Sequence, residues 1–143
     1  YTPVMLRYDI QAENKSMYNT PPTYGIYLCG KVFKWLLDLG GLEAIQKINI
    51  EKAAVLYDYL DESKLFFGTV EKKSRSLMNV CFKSTSPELD DKFIKEAKVQ
   101  GFDNLKGHRI VGGMRASIYN AMPIQGIIAL VEFMKIFEKE NLK

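Results

Sequence analysis

The sequence predicts an α/β fold of the α+β type, in which a small and mostly antiparallel sheet is covered by helices. Apolar residues recur at helical spacing through the first half of the chain, and they alternate with period two in the second half. Glycine pairs and prolines separate these segments. With 143 residues, of which 47% are hydrophobic, the chain is long enough to bury one core.

The first twenty residues are predicted to be an irregular start. A short strand is expected over residues 3–6 and a polar turn over residues 13–16. Pro21 and Pro22 follow, and proline fits the first turn of a helix because its φ is helical and it lacks an amide donor.

Two helices are predicted in the first half of the chain. Apolar spacing indicates a helix over 24–39, and the glycine pair at 40–41 ends it. A second helix is expected to begin at Leu42. Its buried stripe is predicted to consist of Ile45, Ile48, Ala53, Leu56, Tyr57 and Leu60.

The second half is predicted to supply the sheet and two more helices. Strands are expected over 65–67, 76–82 and 114–119, and Met78, Val80 and Phe82 alternate with Leu77, Asn79 and Cys81 in the second of them. A hydroxyl cap and a proline predict a helix over 86–100. Pro123 is expected to open the last helix, whose inner face would hold Ile127, Leu130, Val131, Met134 and Phe137.

Composition excludes several classes of protein. The net charge is +3 and the lysines are interspersed with acids, which is not the concentrated basic face of a nucleic-acid-binding protein. Cys29 and Cys81 lie far apart in apolar segments, so buried free thiols are expected rather than a disulfide or a metal site. No apolar run approaches the roughly 20 residues that span a bilayer, and the start at Tyr1 lacks a signal-peptide pattern. A cytoplasmic location is therefore expected.

Three cationic residues surround a glycine pair and form the main candidate site. His108 and Arg109 precede Gly112 and Gly113, and Arg115 follows them at the start of a predicted strand. Guanidinium groups match the oxygens of carboxylates and phosphates, so this pattern indicates binding of a small polyanion. The alternative is that both arginines pair with surface acids and that the histidine is an ordinary loop residue, which is commoner for an arbitrary arginine.

Asn19 and Thr20 form a second candidate site, at the entrance to the first predicted helix. A hydroxyl together with the free amides of a helix N-terminus suits an oxyanion or a phosphate. The commoner alternative is simple capping of the helix by Thr20 or Thr23.

Four segments resemble a known family in order and with few gaps: residues 16–24 (SMYNTPPTY), 34–42 (KWLLDLGGL), 75–80 (RSLMNV) and 106–122 (KGHRIVGGMRASIYNAM). Across the whole chain the sequence resembles the C-terminal portion of the phosphoserine aminotransferase family. These are pyridoxal-phosphate enzymes, and the resemblance implies the C-terminal domain of the aspartate-aminotransferase fold.

The resemblance implies a role for each candidate residue. Asn19 and Thr20 would bind the cofactor's phosphate in the active site of the neighbouring subunit of a homodimer. His108 and Arg109 would bind the phosphate of phosphoserine, and Arg115 would bind the α-carboxylate. The implied reaction transfers an amino group between phosphoserine or glutamate and 3-phosphohydroxypyruvate or 2-oxoglutarate, in serine biosynthesis.

The resemblance also places the Schiff-base lysine and most of the pyridoxal 5'-phosphate site before Tyr1. Residues 1–24 would be the tail of a large cofactor-binding domain, and residues 25–143 a small domain that includes the linking helix. This chain without the N-terminal large-domain polypeptide is expected to be inactive. Two other interpretations stay open: a non-enzymatic module that binds anions or proteins, and an aminotransferase of the same class with other substrates. A nucleic-acid partner, a membrane and a bound metal are not expected.

Overall fold

A computed structural model describes residues 1–142, and it divides the chain into two compact units. The first unit is Tyr1–Leu42 and the second is Glu43–Lys143. The predicted domain boundary between residues 24 and 25 stays a prediction.

The start of the first unit is more helical than predicted. Val4–Leu6 form a 3-10 turn, and α1 follows over Tyr8–Glu13. The strand predicted over 3–6 is wrong, because the amide of Leu6 donates to the carbonyl of Pro3 at 2.9 Å and closes a turn. The polar turn is confirmed at residues 14–16.

The two long helices are confirmed. α2 spans Thr23–Asp38 and α3 spans Gly41–Glu62. Five of the six residues predicted for the stripe of α3 are buried, but Ile48 is 39% exposed. The buried stripe is centred on Asn49 and Lys52, which are polar, so Ile48 lies at its edge.

The sheet is antiparallel, as predicted. β1 (Phe66–Gly68), β2 (Asn79–Ser84) and β3 (Met114–Ser117) are hydrogen-bonded in the order β1-β2-β3. The strand predicted over 76–82 begins three residues later. The hydroxyl of Ser76 accepts the amides of residues 78 and 79 and holds a turn there.

Two helices of the second unit contribute to the core on the buried face of the sheet. α4 spans Pro87–Val99, and the Ser86 hydroxyl caps it by accepting the Leu89 amide at 3.3 Å. α5 spans Ile124–Asn141, and all five residues predicted for its inner face are buried. Both helices are confirmed.

A cluster of phenylalanines forms the centre of the core. Phe66 and Phe93 have ring centroids 5.0 Å apart, and Phe93 and Phe137 are 5.1 Å apart, both edge to face. Edge-to-face pairs have a preferred geometry, so they favour one defined arrangement of these side chains in the core. The sheet therefore buries one face against α3, α4 and α5 and leaves its other face outward.

The two cysteines are free thiols but are not both buried. Cys29 is exposed and Cys81 is half-buried, so the prediction of buried thiols is wrong for Cys29 and only partly met by Cys81. Cys81 lies on the outward face of β2, because its neighbours Val80 and Phe82 take the inward positions.

Lys52 is the least expected member of the core, with 1% of its surface exposed. Its ammonium donates to the carbonyls of Tyr119 at 2.6 Å, Met122 at 3.0 Å and Asn120 at 3.2 Å. Burial lowers the pKa of this ammonium. Lys52 thus ties the middle of α3 to the segment that joins β3 to α5.

Glu138 makes a second link, between α5 and the end of α3. Its carboxylate accepts the Tyr59 hydroxyl at 2.6 Å, the Ser63 hydroxyl at 2.9 Å and the Lys64 amide at 2.7 Å. Burial alone would raise the pKa of this carboxyl, but these hydrogen bonds and one from the backbone amide of Leu65 together outweigh burial and hold the pKa below its ordinary value.

Replacing Lys52 by methionine should destabilise the protein by about 2 to 3 kcal/mol, because buried carbonyls lose their donor while the aliphatic volume is kept. The measurement is the free energy of unfolding in urea. Lys47→Met, at an exposed position on the same helix, should change it by less than about 0.5 kcal/mol. Equal stability of the Lys52→Met protein and the wild type would contradict the role given to the ammonium.

Glu138→Gln should cost about 1 to 2 kcal/mol at neutral pH, because charge-assisted hydrogen bonds are lost. The folded pKa of Glu138 is depressed, so its stabilisation is complete above the unfolded pKa of about 4.3 and disappears as pH falls through the folded value. The stability gap between wild type and variant should therefore narrow below about pH 4.3. Urea unfolding from pH 3 to 7, with exposed Glu140→Gln as control, measures this gap, and a gap independent of pH would contradict the assignment.

Candidate functional site

The candidate site begins with a closed loop between Leu105 and Arg115. The amide of Arg115 donates to the carbonyl of Leu105 at 2.7 Å, and the amide of Gly107 donates to the carbonyl of Gly113 at 2.8 Å. The amide of Gly112 donates to the carbonyl of His108 at 2.8 Å. These hydrogen bonds hold Arg109 at the tip of the loop and His108 at its neck.

Gly113 is required where the loop joins the sheet. Its φ is +65°, and a side chain there would place a Cβ 2.7 Å from the carbonyl oxygen of Phe82. Only glycine accepts both the left-handed backbone and this close approach to β2. Gly113 therefore lets the loop lie against the sheet, while Gly112 supplies a second left-handed backbone position, with a φ of +73° and open space around it.

His108 is oriented by the loop that carries it. Its Nδ1 accepts the backbone amide of Ile110 at 3.3 Å. An imidazole that accepts through Nδ1 carries its proton on Nε2, so the ring presents an N–H donor on its other side.

Arg115 lies on the outward face of the sheet. It is paired across the strands with Cys81, while its neighbours Met114 and Ala116 are buried. The alternation of β3 thus anchors the strand through two apolar residues and leaves the guanidinium exposed between them.

Two adjoining clefts bring the three predicted residues together in pairs. His108 and Arg115 line one cleft of about 110 Å³, and His108 and Arg109 line another of about 180 Å³. His108 belongs to both. The structure therefore brings His108 to one cleft with each arginine, and none of the clefts described for this region contains all three side chains.

Arg109 and Arg115 have no ionic partner in the part of the chain that the structure describes. Within residues 1–142, neither Arg109 nor Arg115 forms an ion pair, so the alternative of pairing with surface acids does not hold for this part of the chain. Asp90 lines the cleft of Arg109, but its Oδ1 already accepts the amide and the hydroxyl of Ser84, at 2.7 and 2.6 Å. The cationic groups are therefore available to an anion.

Asn19 and Thr20 belong to the first unit, just before α2. The amide nitrogen of Asn19 lies 3.0 Å from the sulfur of Met5, a weak acceptor. Pro22 occupies the N-cap position and no side chain caps the helix, so the alternative of capping by Thr20 or Thr23 is wrong. Amide and hydroxyl donors at an uncapped helix N-terminus suit a phosphate group.

Sequence reasoning missed the residues that complete the clefts. Thr69 and Cys81 line the cleft of His108 and Arg115, while Asp91 and Lys106 line that of His108 and Arg109. Cys81 alternates outward from Val80 and Phe82, a signal present in the sequence. That Cys81 faces Arg115 depends on the strand register, which no local pattern indicates.

Two further observations concern residues 1–142 only. They contain no group of three or more His, Cys, Asp or Glu side chains arranged to hold a metal ion. None of their helices is both long and apolar enough to cross a membrane.

Comparison with known proteins places the chain among aminotransferases. The family described as aminotransferase class-V matches residues 2–130. A phosphoserine aminotransferase of Streptococcus suis is 56% identical over 138 residues, which cover 96% of this chain and 38% of that protein. This chain therefore spans about two fifths of the length of the relatives it matches.

Solved structures agree with that comparison. The phosphoserine aminotransferase from Bacillus circulans subsp. alkalophilus is 48% identical with a TM-score of 0.91, over 97% of this chain and 39% of that one. A phosphoserine aminotransferase from Trichomonas vaginalis, described as PLP-bound, is 39% identical with a TM-score of 0.85, over 94% of this chain and 39% of that one.

Inorganic phosphate should shift the ring-proton resonances of His108, which is the one histidine of the chain, because an anion in either cleft contacts the Nε2–H donor. Proton NMR at constant ionic strength measures the shift against added chloride. Arg109→Gln should weaken it, whereas Lys139→Gln, at an exposed position on α5, should leave it unchanged. Identical shifts with phosphate and chloride would count against an anion site at this loop.

Proposed function

Because the chain belongs to the class-V aminotransferase family, we propose that it supplies the C-terminal part of a phosphoserine aminotransferase. The proposed reaction moves an amino group between phosphoserine and 2-oxoglutarate, giving 3-phosphohydroxypyruvate and glutamate, and it also runs in reverse. The relatives named phosphoserine aminotransferase, of which the chain spans about two fifths, support this proposal.

The observation that carries the proposal is that Arg109 and Arg115 each line a cleft with His108 and form no ion pair within residues 1–142. The proposed substrate has a phosphate at one end and a carboxylate at the other, so it needs two anion sites a short distance apart. In this proposal His108 and Arg109 bind the phosphate, through an Nε2–H donor and a guanidinium fork. Arg115 binds the α-carboxylate with two parallel hydrogen bonds.

These three residues bind and orient the substrate, and they do not transfer protons. The strand under Arg115 and the closed loop under His108 would fix the two ends of the substrate, which restricts the position of the amino carbon between them. Pyridoxal phosphate, when bound, supplies the electron sink for chemistry at that carbon.

Asn19 and Thr20 are proposed to hold the phosphate of that cofactor in the neighbouring subunit of a homodimer. The donor chemistry fits, because the side-chain amide of Asn19, the hydroxyl of Thr20 and the uncapped backbone amides at the start of α2 lie close together in the sequence. Most contacts to the cofactor, including the Schiff-base lysine, are assigned to the part of the protein before Tyr1. Residues 1–143 by themselves are therefore proposed not to transaminate, and the complete enzyme is expected in the cytoplasm.

The test uses the full-length protein that carries this sequence. Arg115→Lys keeps the charge but loses the two-pronged hydrogen bonding, so kcat/KM for phosphoserine should fall about 100-fold, or about 2.7 kcal/mol. Arg109→Gln should reduce the preference for phosphoserine over serine, because only the phosphorylated substrate uses that group.

Lys139→Gln, distant in sequence from the loop, is the control and should keep wild-type kinetics. A full-length protein that binds phosphoserine but transfers no amino group would instead support the non-enzymatic anion-binding module. Equal kcat/KM values for phosphoserine and serine would point to another substrate of the same class.

A further inference from the structure

Lys83 is a half-buried cation on the outward face of the sheet, two residues along β2 from Cys81. The register pairs Phe82 with Met114, so one residue further it places Lys83 opposite Gly113. On its other side Lys83 is paired with Phe67 of β1. Lys83 therefore has a bulky neighbour on one side and a glycine on the other.

The side chain of Lys83 lies across Gly113. A Cβ on Gly113 would be 2.5 Å from the Cγ and 3.4 Å from the Cε of Lys83. Nζ is one C–N bond of about 1.5 Å beyond Cε, so the ammonium lies within about 5 Å of that Cβ position. Gly113 itself lines the cleft of His108 and Arg109. The stem of Lys83 thus brings its charge to the point where the loop of the candidate site joins the sheet.

Lys83 is also a close neighbour of Arg115. Cys81 is directly opposite Arg115, and Lys83 is the next outward residue of β2, so Lys83 and Arg115 occupy diagonal positions. Diagonal positions are about 7 to 8 Å apart and lie within reach of long side chains. Like charges at this separation repel each other, and neither residue forms an ion pair within residues 1–142. An anion bound beside both of them would relieve this repulsion.

The cleft of His108 and Arg109 does not itself contain the positive charge that a phosphate needs. Its two cations, Lys106 and Arg109, are matched in number by Asp90 and Asp91. His108 accepts a hydrogen bond through Nδ1 and is therefore a neutral imidazole. A phosphate monoester carries about −1.5 to −2 charge at pH 7. A cation from beside the cleft has to provide the balance.

We propose that the ammonium of Lys83 joins His108 and Arg109 in binding the phosphate group of the substrate. The inference rests on the proposed function, in which this loop binds the phosphate of phosphoserine. Glutamate and 2-oxoglutarate have a singly charged carboxylate at the corresponding end, so they gain less from the additional cation. Lys83 is thus a residue that favours the phosphorylated substrate, and it takes no part in proton transfer.

Kinetics of the full-length protein test this specificity. Lys83→Met removes the charge and keeps an unbranched stem over Gly113. The value of kcat/KM for phosphoserine should fall about tenfold, because a charge-assisted hydrogen bond is lost. The value for glutamate should fall less than about threefold. Lys83→Arg keeps the charge and should restore most of the activity with phosphoserine. Lys95→Met, at an exposed position of α4 that lines neither cleft, is the control.

Binding of inorganic phosphate gives a readout that does not use transamination. The ring-proton resonances of His108 are followed by NMR in residues 1–143 at constant ionic strength. Lys83→Met should raise the dissociation constant for phosphate about three- to tenfold, and Lys95→Met should leave it unchanged. This result in a full-length protein that transfers no amino group would reject the proposed reaction and keep Lys83 as an anion-binding residue.

Two results would overturn the proposal. Equal losses of kcat/KM for phosphoserine and glutamate in Lys83→Met would mean that Lys83 acts on the loop as a whole. Wild-type kinetics and wild-type phosphate affinity in Lys83→Met, with losses only in Lys83→Ala, would mean that the stem on Gly113 matters and the charge does not. Lys83→Gln is a second uncharged variant, so instability of one variant leaves the outcome decidable.

Discussion

The second unit depends on an ammonium group placed where a hydrophobic core would normally have a leucine. Lys52 is buried and donates to successive carbonyls of the segment that leaves β3 and enters α5. Neither a carboxylate nor an apolar side chain in that place could donate hydrogen bonds to these carbonyls. The ammonium thus stabilises the conformation of the chain directly after β3, the strand that carries Arg115. Packing in the core and presentation of the candidate site are linked through one side chain.

On the outward face of the sheet, buried neighbours and backbone hydrogen bonds position the residues of the candidate site. Met114 and Ala116 are buried, and Arg115 between them is exposed and forms no ion pair within residues 1–142. The loop above it is closed by backbone hydrogen bonds, so His108 keeps its position without help from an acid. The cationic groups of such a site stay hydrated until an anion binds, and this favours binding of an anionic ligand over an internal ion pair.

Local patterns predicted most of the elements, because helix spacing, strand alternation and capping residues act over a few positions. Ser86, Gly113 and the inner face of α5 all behave as those rules state. The failures also have physical causes. Ile48 was assigned to the core on periodicity, but Asn49 and Lys52 occupy the centre of that stripe since distant carbonyls and amides pair with them. Residues 3–6 have strand-like composition, yet no strand within residues 1–142 pairs with them and a local turn forms instead.

The sequence by itself determined which residues carry charge, which loop bears them and which family they resemble, because these properties reside in residue identity and order. Tertiary structure alone decided that Cys81 faces Arg115, that His108 lies between two clefts, and that Asp90 is already occupied by Ser84. Those facts depend on strand register and on contacts between residues far apart in the chain. Such contacts are selected by the packing of the whole core, which no short stretch of sequence encodes.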